Sequence, residues 1–200
     1  MNKALGLSST QYGFGAGILF IGYMLAKYPS VLFYEAVGMR RWLATITAVW
    51  GLGSCAMALV STGWQLYCLR VLIGFAEGGL SSGLMLYLSH WAPERYRASI
   101  LAVPIVSISV AQVIGAPLSG WLLDRANPFG LDPWRLMFII EAIPALALAL
   151  FAALYFPAKP TDARWLDQDE RDWLAANVEG ARKAEPGKSG ARWQALSSPM

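Results

Sequence analysis

Charged residues are scarce in this sequence. Asp, Glu, Lys and Arg account for 14% of its 200 residues, whereas a soluble domain usually carries about 25%. The charges that are present crowd into short connectors and into the segment after Pro157. The net charge of +3 is small and scattered, unlike the clustered basic patch of a nucleic-acid-binding protein. These shortages exclude an ordinary soluble domain, and no nucleic acid is expected as a partner.

Histidine and cysteine are almost absent, with one and two residues respectively. His90 stands alone at the boundary of an apolar stretch, and Cys55 and Cys68 lie inside apolar stretches without the spacing of a metal site. Cysteines in such surroundings are typically small buried hydrophobes. No Ser, His and Asp set and no phosphate-binding loop is visible either. We therefore expect no catalytic residue, no metal and no cofactor, and the protein is not expected to be an enzyme.

Long apolar stretches dominate what remains. Five of them, at residues 12–32, 42–60, 64–88, 99–122 and 134–156, approach or exceed the roughly 20 residues that a helix needs to cross a bilayer. Helix is the expected state, because a backbone in lipid must satisfy its own hydrogen bonds. The sequence predicts an all-α, polytopic transmembrane bundle over residues 1–156, followed by a soluble segment at 157–200. The short connectors make consecutive helices antiparallel neighbours.

Orientation follows from the Lys and Arg residues near the span ends. One side receives Arg40, Arg41, Arg95, Arg97, Lys159 and Arg164, and the other receives Lys3, Arg125 and Arg135. The richer side is expected in the cytoplasm, together with the C-terminal tail. The N-terminus then lies outside, and with an odd number of spans this indicates a missing first helix. Four tryptophans stand at or next to span ends, where indole rings favour the headgroup level: Trp42, Trp64, Trp91 and Trp134.

The segment after the last span contains one further helix signal. Asp167 with Glu170 three residues later is typical of a helix N-terminus, so a short helix is expected through Leu174. Trp165 is expected to pack on the membrane face or on the bundle. From Gly180 to Ser198 the composition is that of a linker.

Two ionisable residues in the third apolar stretch are candidates for function. A charge at the bilayer centre costs at least ~2.5 kcal/mol, so Arg70 and Glu77 are expected to face a bundle interior or a wet cavity. They are seven residues apart, which places them on one helix face with ~10 Å between them along the axis. A buried carboxylate suits proton uptake and release, and a guanidinium suits a carboxylate substrate. The alternative is that both form salt bridges that only fix helix packing.

Two further charged residues favour structural roles. Lys27 lies near the expected cytoplasmic end of the first span, where its amine is expected to extend to the headgroups. Glu141 lies about two turns into the last span and is expected to pair with a neighbouring helix.

Glycine and proline mark close helix contacts and a bend. Gly74 with Gly78, and Gly79 with Gly83, form small-residue ridges that permit close packing. Pro117 removes a backbone donor and is expected to kink the fourth span, and Gly115 and Gly120 let a neighbour approach that kink.

Several motifs together resemble those of the major facilitator superfamily. The loop Glu35 to Arg41, with Gly38, Arg40 and Arg41, resembles its cytoplasmic signature, Arg70-x-x-x-Gly74 its helix-four motif, and Gly115-Ala116-Pro117-x-x-Gly120 its helix-five hinge. A closer match is the anion:cation symporter family of tartrate-, phthalate-, hexuronate- and galactonate-type carriers. The resemblance to that family lies in seven segments of this sequence, namely residues 12–17, 20–23, 29–30, 70–79, 115–120, 141–145 and 160–166.

The resemblance implies that the five spans correspond to helices two to six, an incomplete N-terminal half of a major facilitator fold. It implies symport of a small organic anion, a carboxylate or sugar acid, by alternating access, coupled to a proton or to sodium. Glu77 would be the coupling carboxylate and Arg70 its charge partner or an anion contact. Gly38, Arg40, Arg41, Gly115, Pro117 and Gly120 would belong to gating motifs.

The protein is accordingly expected in the plasma or inner membrane, with the lipid bilayer and the missing remainder of the transporter polypeptide as its partners. Two positions depart from the family pattern: Lys27 stands where Glu is common, and Val31 where Asn is common. The competing hypothesis is a truncated membrane fragment or scaffold that lacks helix one and the C-terminal bundle and transports nothing.

Overall fold

Six α-helices make up nearly all of the structure that is described. The computed structural model describes residues 1, 5–124, 130–157, 162–163 and 165–183. The helices are α1 (Ser9–Val37), α2 (Met39–Met57), α3 (Gly63–Trp91), α4 (Arg97–Asp124), α5 (Pro133–Tyr155) and α6 (Gln168–Lys183), with a short 3-10 turn at Glu94–Tyr96. No strand occurs within these ranges. The all-α class is therefore confirmed.

The helices occupy the five apolar stretches, but their ends differ from the apolar boundaries. Polar capping residues start two of them: Ser8 and Gln11 exchange hydrogen bonds at α1, and Thr62 and Gln65 do so at α3. The first helix continues through Pro29 and ends at Val37. Gly38 follows with a φ of +82°, which is not a helical conformation, and separates α1 from α2. The second helix ends at Met57 in a turn, three residues before the apolar stretch ends. Apolarity alone does not reveal such caps and turns.

Three helices are long and apolar enough to cross a membrane by length and composition. They are the segments Gly63–Ser89, Arg97–Asp124 and Pro133–Tyr155, found within the described part of the chain. That α1 and α2 also cross stays a prediction. The orientation does too, since Lys3, Arg125, Lys159 and Arg164 lie outside the described residues.

The contact between α1 and α3 is made by glycines. A methyl group at Gly74 would overlap the Leu19 carbonyl, and one at Gly78 would overlap the Tyr23 carbonyl. From α1, Gly22 meets the Val71 carbonyl in the same way. Backbones that approach this closely require glycine on the touching surfaces. The first predicted ridge is confirmed, and residue numbers rise together along the two helices, so α1 and α3 are parallel.

The second glycine ridge faces a different part of the bundle. A methyl group at Gly79 would lie 3.0 Å from the Ser30 hydroxyl and 3.1 Å from Ile46, and one at Gly83 would lie 3.0 Å from the Trp42 indole nitrogen. The first ridge therefore packs on α1, and the second packs mainly on α2. The absence of a side chain at Gly83 leaves space for the indole ring of Trp42.

The Trp42 ring packs inside the bundle. It is only 7% exposed and stacks on Phe33 with 5.9 Å between ring centroids, so it points away from the outer surface. Trp134 is likewise 7% exposed, whereas Trp64 is 75% exposed at its helix end, as a headgroup residue would be. Proximity to a helix end does not decide which way a ring points.

The segment after α5 returns to the end of α3. Trp165 stacks on Trp91 with 6.0 Å between centroids, which confirms packing on the bundle. The Asp167 N–H donates to Glu170 at 3.1 Å, as the predicted helix start requires. The helix is longer than expected, however, and runs to Lys183. The prediction that a linker begins at Gly180 is therefore wrong. Residues 184–200 lie outside the described part.

Candidate functional site

The two candidate charges of α3 lie on one face near its centre. Glu77 is midway between Gly63 and Trp91. Its side chain is exposed and makes no hydrogen bond with any described residue, while Arg70 is half-buried. The Arg70 Nε–H is buried and finds no acceptor among the described residues. Within this part of the chain, neither charge is neutralised by a salt bridge, and the choice between a functional and a packing role stays open.

A serine and a tyrosine extend this polar face, and neither was singled out from the sequence. Ser81 lies one turn beyond Glu77, so it shares the face with Arg70. Its hydroxyl donates to the Gly78 carbonyl at 3.1 Å and lies 3.2 Å from the Tyr23 hydroxyl of α1. Only the α1–α3 packing brings these two hydroxyls together, because they are 58 residues apart in sequence.

Lys27 joins the same region from α1. Its Nζ lies 5.0 Å from the centroid of the Tyr23 ring, and the side chain is exposed. The amine thus folds back toward the middle of α1. That it extends to the headgroups stays a prediction.

Glu141 pairs with a neighbouring helix, as expected. The Ser119 hydroxyl of α4 donates to its Oε1 at 2.6 Å. The pairing partner lies inside the motif that contains Pro117, so Glu141 links α5 to the candidate hinge of α4.

The hinge motif itself has little around it. A methyl group at Gly115 or Gly120 would meet nothing within 4 Å among the described atoms, and α4 continues as a helix through Pro117. An open groove on α4 is lined by seven small or β-branched residues, namely Ser99, Ala102, Val103, Val106, Ser107, Val110 and Ala111. None of these seven side chains carries a charge. The gating role of this motif stays a prediction.

The signature loop has a clear structural partner. Arg40 donates from Nε to the Ala153 carbonyl at 2.8 Å and from NH2 to the Leu154 carbonyl at 2.8 Å. It therefore caps the last turn of α5, where carbonyls lack helical partners. Gly38 supplies the backbone break just before it, and Arg41 is exposed.

Arg135 makes the same contact at the opposite end of the same helix pair. Its NH2 donates to the Val60 carbonyl at 3.0 Å, and its NH1 donates to the Ala58 carbonyl, just past the end of α2. Asp132 lies 3.4 Å from its Nε. The sequence pointed to Arg135 only as a marker of orientation.

No group of three or more His, Cys, Asp or Glu side chains in the described ranges is placed to hold a metal ion.

Comparison with known proteins identifies the family. The sequence profile of the Major Facilitator Superfamily matches residues 1–199. A protein of Agrobacterium vitis named "Putative tartrate transporter" is 42% identical over 189 residues, which is 94% of this chain and 43% of that protein. The "Putative metabolite transport protein NicT" of Pseudomonas putida is 36% identical over 179 residues, 89% of this chain and 41% of that protein.

A solved structure supports the same fold. The xylose transporter XylE from E. coli, in its inward-open conformation, superimposes with a TM-score of 0.64 at 22% identity, over 87% of this chain and 44% of that one. The chain thus spans about two fifths of the length of the curated relatives it matches. It belongs to the Major Facilitator Superfamily.

Proposed function

We propose that this chain is part of a secondary transporter that carries a small organic anion, a carboxylate or sugar acid, across a membrane by alternating access. In this proposal α1 to α5 all span the bilayer as helices two to six of the complete fold. The remainder of the polypeptide completes the transport path. The end of the bundle that carries Arg40 and Arg95 faces the cytoplasm, together with the segment after α5.

One observation carries the proposal: Arg70 and Glu77 share one face of α3, with Glu77 at the centre of the helix, and neither has a neutralising partner among the described residues. Charges at this depth are costly, and proteins retain them mainly along substrate or ion pathways. A guanidinium offers paired donors that match a carboxylate. The relative named for tartrate, itself a carboxylate, supports an anion as the cargo.

Glu77 is proposed as the coupling group. A carboxylate with no cationic partner can bind a proton in one conformation and release it in the other, which links proton flow to substrate movement. Sodium is the alternative coupling ion, because a carboxylate also suits a hard cation.

The experiment is uptake of radiolabelled tartrate by proteoliposomes that contain the complete polypeptide, with and without an inward proton gradient. We expect accumulation to need the gradient, and Glu77→Gln to abolish gradient-driven accumulation. Glu141→Gln is the matched control, since an amide oxygen still accepts from Ser119. Equal uptake in both conditions, or normal accumulation by Glu77→Gln, excludes Glu77 as a proton-coupling group. Uptake driven by sodium alone instead assigns the coupling to sodium.

A second candidate is a membrane fragment or scaffold that transports nothing. It is favoured by the length of the chain, about two fifths of that of its relatives. The coding DNA on either side of this reading frame separates the two: a continuous frame for further helices supports the transporter, and stop codons at both ends support the fragment.

A further inference from the structure

Lys27 places its positive charge near the middle of α1. Tyr23, over whose ring the amine lies at 5.0 Å, is midway between Ser9 and Val37. The helix continues beyond Lys27 for ten residues, which is ~15 Å at the usual rise. A lysine that served the headgroups would extend toward that end. This side chain turns the other way.

The charge of Lys27 is held in place but not neutralised. No carboxylate in the described part of the chain forms a salt bridge with it; the pair Arg135 and Asp132 is the salt bridge found there. An aromatic ring attracts an ammonium through its quadrupole and fixes its position. The ring leaves the net charge unchanged, so the amine can still attract an anion.

The ring connects this charge to the polar face of α3. The Tyr23 hydroxyl lies 3.2 Å from the Ser81 hydroxyl, and Ser81 lies on the same face as Arg70 and Glu77. Because α1 and α3 are parallel and Gly74 packs between Leu19 and Tyr23, the level of Tyr23 is about two helical turns, or ~10 Å, from Arg70. The two long cationic side chains therefore stand about two helical turns apart along one polar strip, and Glu77, next to Gly78, lies near the level of Tyr23.

The charge balance of this strip matches a particular substrate. With Glu77 protonated, the strip carries two positive charges and no negative one. A dianion compensates both, whereas a monoanion leaves one positive charge uncompensated inside the membrane that the proposed function assumes, which is unfavourable.

We propose that Lys27 is the second cationic contact of the anion site, that it receives a second carboxylate group, and that the transporter consequently prefers dicarboxylates to otherwise similar monocarboxylates. This inference rests on the proposed function, because it assumes that the strip binds the transported anion.

The test uses two probes that differ by one carboxylate. Tartrate has four carbons with a carboxylate at each end, and threonate has the same four-carbon chain with a hydroxymethyl group at one end. Binding of each is measured by calorimetry, and uptake in proteoliposomes, on the complete polypeptide. The variants are Lys27→Gln, which removes the charge, and Lys27→Arg, which keeps it. Arg95→Gln is the matched control, because Arg95 also lies over a tyrosine ring, 5.6 Å from that of Tyr96.

We expect the wild-type protein to bind tartrate more tightly than threonate. Lys27→Gln should weaken tartrate binding about tenfold, the effect of losing one charge-assisted hydrogen bond, and should leave threonate within about twofold. Lys27→Arg should keep most of the preference, and Arg95→Gln all of it.

Several results would overturn the inference. If Lys27→Gln weakens both anions equally or neither, Lys27 is not a carboxylate contact, although anion transport stands. Equal binding of the two anions by the wild-type protein would also show that Lys27 is not a carboxylate contact. That measurement does not require any variant to fold. If the wild-type protein carries neither anion above the level of empty liposomes, the proposed function fails and the inference fails with it.

Discussion

Arg40 and Arg135 hold the two ends of one antiparallel helix pair. Each stands in the first turn of its own helix and donates to the terminal carbonyls of the other, Arg40 to the end of α5 and Arg135 to the end of α2. A cation is favourable there, because the helix dipole leaves partial negative charge on unpaired carbonyls. The two contacts are separated by the length of α2, 19 residues, or ~28 Å.

This arrangement predicts two independent contributions to stability. We expect Arg40→Gln and Arg135→Gln each to lower the free energy of unfolding by about 1 kcal/mol, and the double variant to show their sum within about 0.5 kcal/mol, as distant sites do. The measurement is unfolding in detergent, with Arg95→Gln as the control. A double variant no worse than either single one would contradict independent caps.

The glycines at the α1–α3 contact give a sharper prediction. Gly74→Ala forces a methyl group into the Leu19 carbonyl, and overpacking of this kind typically costs about 1–3 kcal/mol. Gly13→Ala is the matched control, since Gly13 lies in α1 with nothing within 4 Å of an added methyl group. Alanine favours the helix there by up to ~1 kcal/mol. Thermal unfolding in detergent should move the two variants in opposite directions, and equal shifts would argue against close backbone contact.

At the scale of elements, aromatic rings join the chain after α5 to the end of α3. Tyr87 stacks on Phe156 with 5.6 Å between centroids and donates to the Pro157 carbonyl at 3.3 Å. One turn later, Trp91 stacks on Trp165. Stacked aromatic pairs contribute about 0.5–1.5 kcal/mol each beyond their buried area. The position of α6 therefore depends on α3.

Removal of one of these rings should loosen α6 specifically. We expect Trp91→Ala to raise the rate of tryptic cleavage after Arg171 about fivefold, since ~1 kcal/mol changes a local opening equilibrium by that factor. Trp64→Ala, at the other end of α3 and largely exposed, serves as the control and should leave the rate unchanged. Unchanged cleavage in Trp91→Ala would mean that the stack does not hold α6.

The helices and their close contacts were predictable from the sequence, but the partners of individual side chains were not. Apolar length indicated where helices lie, and glycine spacing indicated which surface of α3 packs closely. The contact of Ser81 with Tyr23 and the direction of Lys27 depend on the rotation of α1 against α3, which no local pattern encodes. The burial of Trp42 depends on the space beside Gly83 in another helix. Local rules identify candidate residues, and packing decides what each one touches.

At the scale of the whole molecule, α4 buries the fewest residues among the described helices α1 to α5. Leu122 is its one buried residue among those described, whereas α3 and α5 each bury several. One side of α4 carries the small residues Ser99, Ala102 and Ser107. In a membrane, small residues allow a neighbouring helix to pack closely. The chain spans about two fifths of the length of its relatives, and in the function proposed above the remainder of the polypeptide supplies further helices. We therefore infer that one of these covers α4 and gives the motif at Gly115 the neighbour that a hinge requires.

Cysteine labelling tests this coverage. Cys55 and Cys68, which are both free, are first replaced by alanine. Ser107→Cys should then react readily with a maleimide in detergent when the 200-residue chain is expressed alone. In the complete polypeptide it should react at least about tenfold more slowly, because buried positions open only rarely. Leu150→Cys is the comparison, since Leu150 is exposed on α5 and does not line the α4 groove. Equal labelling of Ser107→Cys in both forms would mean that α4 faces lipid throughout, and the motif at Gly115, Pro117 and Gly120 would then have no second helix against which to bend.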